Sequence, residues 1–535
     1  MKKLILSAAF SLAASSILAD GYNAPEAILP PSAFTGVHGL AIDSKGRLLA
    51  GTVLGNQIWS VDQTSGDASV FIDGPVGQAD DIAIGPKGEL VWTSFLQGVL
   101  RMRVSDDAEI IDLATGLPGI NSAAFDQKSG RLFASQVFLA DGLYEIDPTG
   151  ATEPRLIAEG MGGFNGFEVG ADGMLYGPLW FKGQVAKINP DSGEITIIAD
   201  GFAVPAAVNF DSKGSLWVVD TKAGELVQLD PATGEKGRVV PMATSMDNLA
   251  IDADDNIFVS NMADHSITQV NGETGETRVV ISGKAAVPTG LKLSEDGKTL
   301  YFADAFAMRS LDTTSGEVTD YRRMQESDLE YPFAVGLSAD YVLGTSWFTN
   351  TVQVFNRADM STAGMAHGFA APTDALVLAD GSLLVTEIAT GNLVQASGED
   401  WGDKTPVVTG LQGPVQIIKA SNDMLYVTEA AGRISQVDPQ DWSMKTIAEG
   451  LTLPEGLAEL PDGNLVVAEA AAGRLTKVDI STGETTILVT DLPIGLEAGP
   501  GLPPTYLPTG LAVDADGTIY VAADRNNAIY RITPE

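Results

Sequence analysis

A segment of about forty residues recurs twelve times along this chain, and that repeat limits the fold more than any other feature. Each copy has a short apolar strand, Asp-x-x-Gly or a close variant, a second apolar strand, a turn, a third strand, then SGE or TGE and a fourth strand. Residues 247–282 show it whole (DNLAIDADDNIFVSNMADHSITQVNGETGETRVVIS), as do residues 456–489 (GLAELPDGNLVVAEAAAGRLTKVDISTGETTILV). The first strands start at His38, Asp80, Asn121, Asn165, Ala206, Asp247, Thr289, Phe333, Thr373, Val415, Glu455 and Thr509. Successive starts lie 40 to 44 residues apart, except for a last gap of 54 that holds the insert GLEAGPGLPP. Alternating, β-branched strands cut by Gly and Asp turns exclude helical repeats of similar length. Four strands at this period make a β-propeller blade.

Propellers usually have about four to eight blades, so twelve blades divide into two rings of six. The fold class is therefore all-β, two tandem six-bladed β-propellers of four-stranded blades. The chain ends in AIYRITPE, a third strand with no fourth after it, while EAILPPSAF near the start reads as a stray fourth strand. A ring that borrows a strand from elsewhere leaves no free sheet edge. The expected scheme pairs the N-terminal strand with the blade of Asp247, and residues 276–282 with the blade of Thr509. It gives a leader over 1–19, a first propeller over 20–275 and a second over 276–535.

Lys2 and Lys3, the apolar run Leu4–Leu18 and small Ala19 read as a signal peptide. The expected location is periplasmic or secreted, with no membrane insertion. There are 0 Cys, which excludes disulfides, thiolate metal sites and a cysteine nucleophile. The net charge of −38 opposes nucleic acid and suits cations or simple solubility. No nucleotide-type Gly-rich loop and no G-x-S-x-G elbow occurs.

In a propeller the starts of the innermost strands converge on one mouth of the central channel. The first ring brings His38, Asp80, Asn121, Asn165, Ala206 and Asp247 there, with Asp81 and Asn248 next in line. The second ring brings Thr289, Phe333, Thr373, Val415, Glu455 and Thr509, a set with one charge. Carboxylate and amide oxygens are hard ligands that suit Ca²⁺ or another divalent cation. Asp80, Asn121, Asn165, Asp247 and Asn248 can supply most of such a shell. A hydrated polar channel without metal is the alternative. Acids also end many second strands (Asp220, Asp304, Glu387, Glu429, Glu469, Asp524), and their repetition at one blade position marks them as structural. Trp180 and Phe181 sit in a loop that either borders a ligand pocket or packs between blades. His265 and His367 read as structural or exposed.

The first ring resembles the calcium-dependent six-bladed propellers of the gluconolactonase/senescence-marker-protein family and the paraoxonases. FNGFEV (164–169), DNLAID (247–252) and ADDIAI (79–84) carry the likeness. The resemblance implies metal-ligand roles for Asn165, Asp247, Asn248 and Asp80, with Asn121 where another amide ligand is expected. The gluconolactonase pattern has Glu where Asp80 stands, and Ala206 offers no ligand. The second ring resembles only generic propeller repeats.

The function expected is an exported, calcium-dependent hydrolase of lactones or related esters, acting at the first propeller's channel mouth on a small-molecule substrate. His38, with its ordinary pKa near neutrality, is the candidate general base for a metal-bound water, and equally a metal ligand; Asp81 is the next candidate base. The alternative is a non-catalytic periplasmic binding double propeller, with a structural metal or none and a protein partner reached through the second ring.

Overall fold

The computed structural model describes residues 21–535, so the leader expected over 1–19 lies outside the described residues. The strands form twelve four-stranded antiparallel sheets arranged as two rings of six. The only helices among the described residues are three single 3₁₀ turns, Trp180–Lys182, Glu399–Trp401 and Ala470–Ala472.

The repeat explains the blade. In Asp-x-x-x-Gly-Glu turns such as 479–484, the Asp479 carboxylate accepts the N–H groups of Ser481 and Thr482 at 2.8 and 2.9 Å. Gly483 closes the turn with φ +76°, a conformation that favours glycine. The second strand of each blade is buried on both faces by neighbouring blades, as Leu465–Glu469 shows throughout its length. The outermost strand, such as Thr485–Val489, faces solvent over its first half.

In the first ring the inner strands are Val37–Ile42, Ile82–Ile84, Ile120–Phe125, Glu168–Val169, Pro205–Phe210 and Met246–Ile251, and the last packs on the first. Phe34, Val37, Leu40, Ala250, Phe258 and Ile267 bury that seam. In the second ring Leu291–Leu293 packs on Leu511–Val513, and the seam there is filled by Leu29, Leu291, Phe302, Tyr520 and Ile529.

Leu29 in that seam corrects the expected closure. Glu26–Leu29 pairs with Ala528–Ile532, completing the blade of Thr509 rather than that of Asp247. Thr277–Ser282 pairs with Ser266–Asn271 and stays in its own blade. A short hairpin closes at far less entropic cost than a strand arriving from elsewhere, so the local pairing wins and the only blade without a local fourth strand takes the N-terminal one. The passage between rings therefore falls after Ser282 and before Leu291, not near Gly275.

The two rings pack against each other. Leu54, Met262 and Ala263 of the first ring share one apolar cluster with Phe306, Met324, Leu329, Phe333 and Tyr506 of the second. The 54-residue gap is spent at this interface: the Tyr506 hydroxyl donates to Leu54 O at 2.8 Å and accepts from Asn56 Nδ2 at 3.1 Å.

Candidate active site at the mouth of the first propeller

A cavity of about 320 Å³ opens at the channel mouth of the first ring, where the second ring covers it. His38, Asp80, Asn121, Asn165 and Asp247 all line it. Small residues let these strand ends converge: a Cβ on Gly39, beside His38, would meet Asp80 O at 2.5 Å. Gly166, beside Asn165, has φ +32° and lies against Ala207.

Asp80 and Asp247 are the electrostatic centre. Among the described residues no hydrogen bond or ion pair reaches either carboxylate. Burial, then the charge of Asp247, then that of Asp81, raise the Asp80 pKa well above the usual carboxylate range. Burial pushes Asp247 up to about 7. Two buried carboxylates without a cationic partner are costly unless they share protons or hold a cation; among the described residues no group of three or more His, Asp or Glu side chains is placed to hold a metal, so an ion here would take the two carboxylates and amide oxygens. Three of the other groups add neutral donors. Ser122 Oγ lies 2.9 Å from Asn121 Oδ1 and 3.0 Å from Asn165 Oδ1, and Gly166 N–H donates to Asn165 Oδ1 at 3.0 Å, fixing both amides. His38 Nδ1 donates to Gly36 O at 2.8 Å. That bond requires the proton on Nδ1 and leaves the Nε2 lone pair free. Burial pulls the His38 pKa down to about 4, so the ring is neutral at neutral pH.

Asp81 and Asn248 are not brought to this cavity. They line a separate polar cavity of about 210 Å³ formed by the further reaches of the same inner strands. Asp81 accepts the N–H groups of Ile82 and Ala123 at 2.9 and 3.1 Å and the Asn248 amide at 3.0 Å. Asp374 makes the same stitch in the second ring, to Ala375 and Ile417 at 2.9 and 3.1 Å. This geometry ties neighbouring inner strands together. The acids that end second strands instead hold the segment leading into their own blade: Asp220 takes the N–H groups of Ala203 and Val204, and Asp524 those of Gly495 and Leu496. His265 is buried against Phe34 and bonded to Ala33 O. His367 ends an outer strand and is exposed.

The cavity walls are mostly aromatic, and Trp180 borders the pocket as one of its two sequence readings has it. Phe95 and Phe138 join Trp180 on the first-ring side, with Phe138 5.2 Å from Trp180 and 5.7 Å from Phe181 between ring centres. The second ring supplies Phe306, Glu330, Tyr331, Trp347 and Phe348. Two signals pointed to them: the 44-residue spacing before Phe333, which leaves a long loop there, and the aromatic clusters EYPF and SWF.

Residues 407–535 match the family model described as SMP-30/Gluconolactonase/LRE-like region. The chain carries an SMP-30/gluconolactonase-like region. This match lies in the second ring, whereas the motifs quoted above for the likeness lie in the first. The chain is also 25% identical over 185 residues to the uncharacterized protein YncE of Escherichia coli O157:H7, spanning 32% of this chain and 52% of that protein. It thus spans about half the length of that curated relative. Among solved structures, the extracellular domain of the putative one component system BT4673 from B. thetaiotaomicron aligns over 95% of this chain and 82% of its own, with 11% identity and a TM-score of 0.35. A virginiamycin B lyase from Staphylococcus aureus aligns over 62% of this chain and 94% of its own, with 16% identity and a TM-score of 0.25. No helix among the described residues is long and apolar enough to cross a membrane.

Proposed function

We propose that the mouth of the first propeller is a divalent-cation-dependent hydrolytic site for lactones or related esters, in a protein exported to the periplasm or beyond. The observation that carries this reading is the pairing of Asp80 with Asp247, buried and without a protein cation, beside a neutral His38 in the cavity at the channel mouth. Asp80 and Asp247 would hold the ion, preferably Ca²⁺, with the Asn121 and Asn165 amide oxygens as neutral donors. A cation bound there supplies Lewis-acid polarisation of a carbonyl oxygen.

The chain's own groups do the rest. His38 Nε2 accepts a proton from the attacking water. Its low proton affinity makes it a weaker base than an exposed imidazole, which also suits it to ligand duty. The aromatic walls exclude bulk water and strengthen electrostatic interactions inside. The SMP-30/gluconolactonase-like region supports lactone chemistry as a class. The test is a panel of lactones and aryl esters assayed with Ca²⁺ and with chelator. Cation-dependent turnover supports the reading. Tight Ca²⁺ binding with no turnover of any member replaces it with a binding protein that carries a structural ion.

A further inference from the structure

Tyr331 belongs to the second propeller yet lines the first propeller's cavity, and it is the only tyrosine that does. Its ring is clamped edge-on by Phe348 at 5.3 Å and Phe306 at 6.0 Å. Its backbone sits at φ +29°, a strained position for a bulky residue. Such strain persists only where surrounding structure enforces it, and it clusters at ligand sites. Here the residues on either side are held: Glu330 N–H donates to Gln353 Oε1 at 2.8 Å, and Pro332 O accepts from Ala305 N–H at 3.0 Å. Among the described residues the phenolic oxygen has no hydrogen-bond partner, and the charges of Asp247 and Asp80 act on it across the cavity.

We propose that Tyr331 is a ligand-contacting residue of the composite site: its hydroxyl donates a hydrogen bond to a carbonyl oxygen of a ligand seated between the second propeller's aromatic wall and the Asp80–Asp247 pair. The second propeller is then part of the site, not a spectator. The inference rests on the hydrolytic reading only for the place where the ligand sits, and the ligand class is an uncharged carbonyl compound with an apolar or aromatic body.

The probe is hydrocarbostyril, the lactam analogue of dihydrocoumarin, which presents the same carbonyl but resists opening. Its affinity is read from quenching of tryptophan fluorescence, since Trp180 and Trp347 line the cavity. Tyr331→Phe should weaken binding about 2- to 13-fold, the worth of one such bond. Melting temperature and Ca²⁺ affinity should stay unchanged. In the unsubstituted chain, lactam binding should shift tyrosine absorption to the red, a readout that needs no variant. The proposal is overturned if the parent binds no lactam, if binding leaves tyrosine absorption unmoved, if Tyr331→Phe binds within twofold of the parent, or if melting and Ca²⁺ affinity fall along with lactam binding. If dihydrocoumarin is not hydrolysed while the lactam results hold, the hydrolytic reading fails and the role of Tyr331 stands.

Discussion

Arg323 of the second propeller meets Asp264 of the first at 2.5 Å, and Ser245 Oγ donates to Met324 O at 2.5 Å beside it. These contacts anchor the segment 324–333, which carries much of the wall over the first ring's mouth. Arg323→Ala should cost about 1–2 kcal/mol, because the pair is partly exposed and screened. It should also open residues 324–333 to protease while distant hairpins stay resistant. Limited proteolysis followed by mass mapping checks this. Uniform resistance in the variant would mean that the anchor lies elsewhere.

Asp247→Asn removes one of two buried carboxylates that repel each other. In chelator, at pH 8, the variant should melt higher than the parent, because desolvation raises the Asp247 pKa to about 7 and the charged form is disfavoured. In Ca²⁺ the order should reverse, since a ligand bound only by the native state stabilises it by mass action. Equal calcium-induced shifts in both proteins would remove Asp247 from the ligand set.

His38→Gln should lower lactone turnover by about 10²–10⁴-fold, the range for general-base assistance, with Ca²⁺ affinity nearly intact. Calorimetry and steady-state kinetics together decide the matter. Collapse of both activity and affinity would make His38 a ligand.

Glu455 lies buried in the second ring with its pKa raised to about 8 by burial and then by the charge of Asp524. The folded chain therefore binds this proton more tightly than the unfolded chain does. Its contribution to stability is full below the unfolded carboxylate range and is lost as pH rises towards 8. Glu455→Gln can still accept the Thr509 N–H that Glu455 holds at 2.7 Å. It should gain on the parent steadily between about pH 4.5 and 8 and hold a constant advantage above that, on the order of 5 kcal/mol. Denaturant midpoints measured across that window test it. A pH-independent difference would show that Glu455 is not the group responsible.

Leu29 is fully buried in the seam that closes the second ring. Leu29→Ala should cost about 2–5 kcal/mol and act on the second ring alone. Hydrogen exchange should quicken at Ala528–Ile532 and remain slow at Val37–Ile42.

The blades were legible in the sequence because everything that makes one is local: the Asp side chain that caps the turn, the glycine after it, and alternating strands. Ring closure was not. The strands at 26–29 and 277–282 have the same pattern, and only the entropic cost of distant pairing separates them. At the site, five predicted residues converge because propeller symmetry brings strand starts together. Asp81 and Asn248 diverge because adjacent residues on a strand point to opposite sides; the same alternation, applied to Asp80–Asp81 and Asp247–Asn248, would have separated them. Of the walls, Trp180 was marked by its loop; Tyr331, Trp347 and Phe348 stand out as aromatic clusters, but they reach the cavity from loops of the other ring, and nothing in the repeat says which ring they face.

The pairing of Glu26–Leu29 with Ala528–Ile532 makes the first propeller an insertion within the second. One ring is a continuous stretch of chain, and the other is split around it. As the chain emerges from its N-terminus, the first ring can complete itself while the opening strand stays unpaired, and the second ring cannot be sealed until the final strand arrives. Folding of the inserted ring brings the two distant partners into reach of each other. With Glu535 N bonded to Gly21 O at 3.0 Å, a circular permutant that joins those ends and opens between Ser282 and Leu291 would keep every sheet while making both rings continuous.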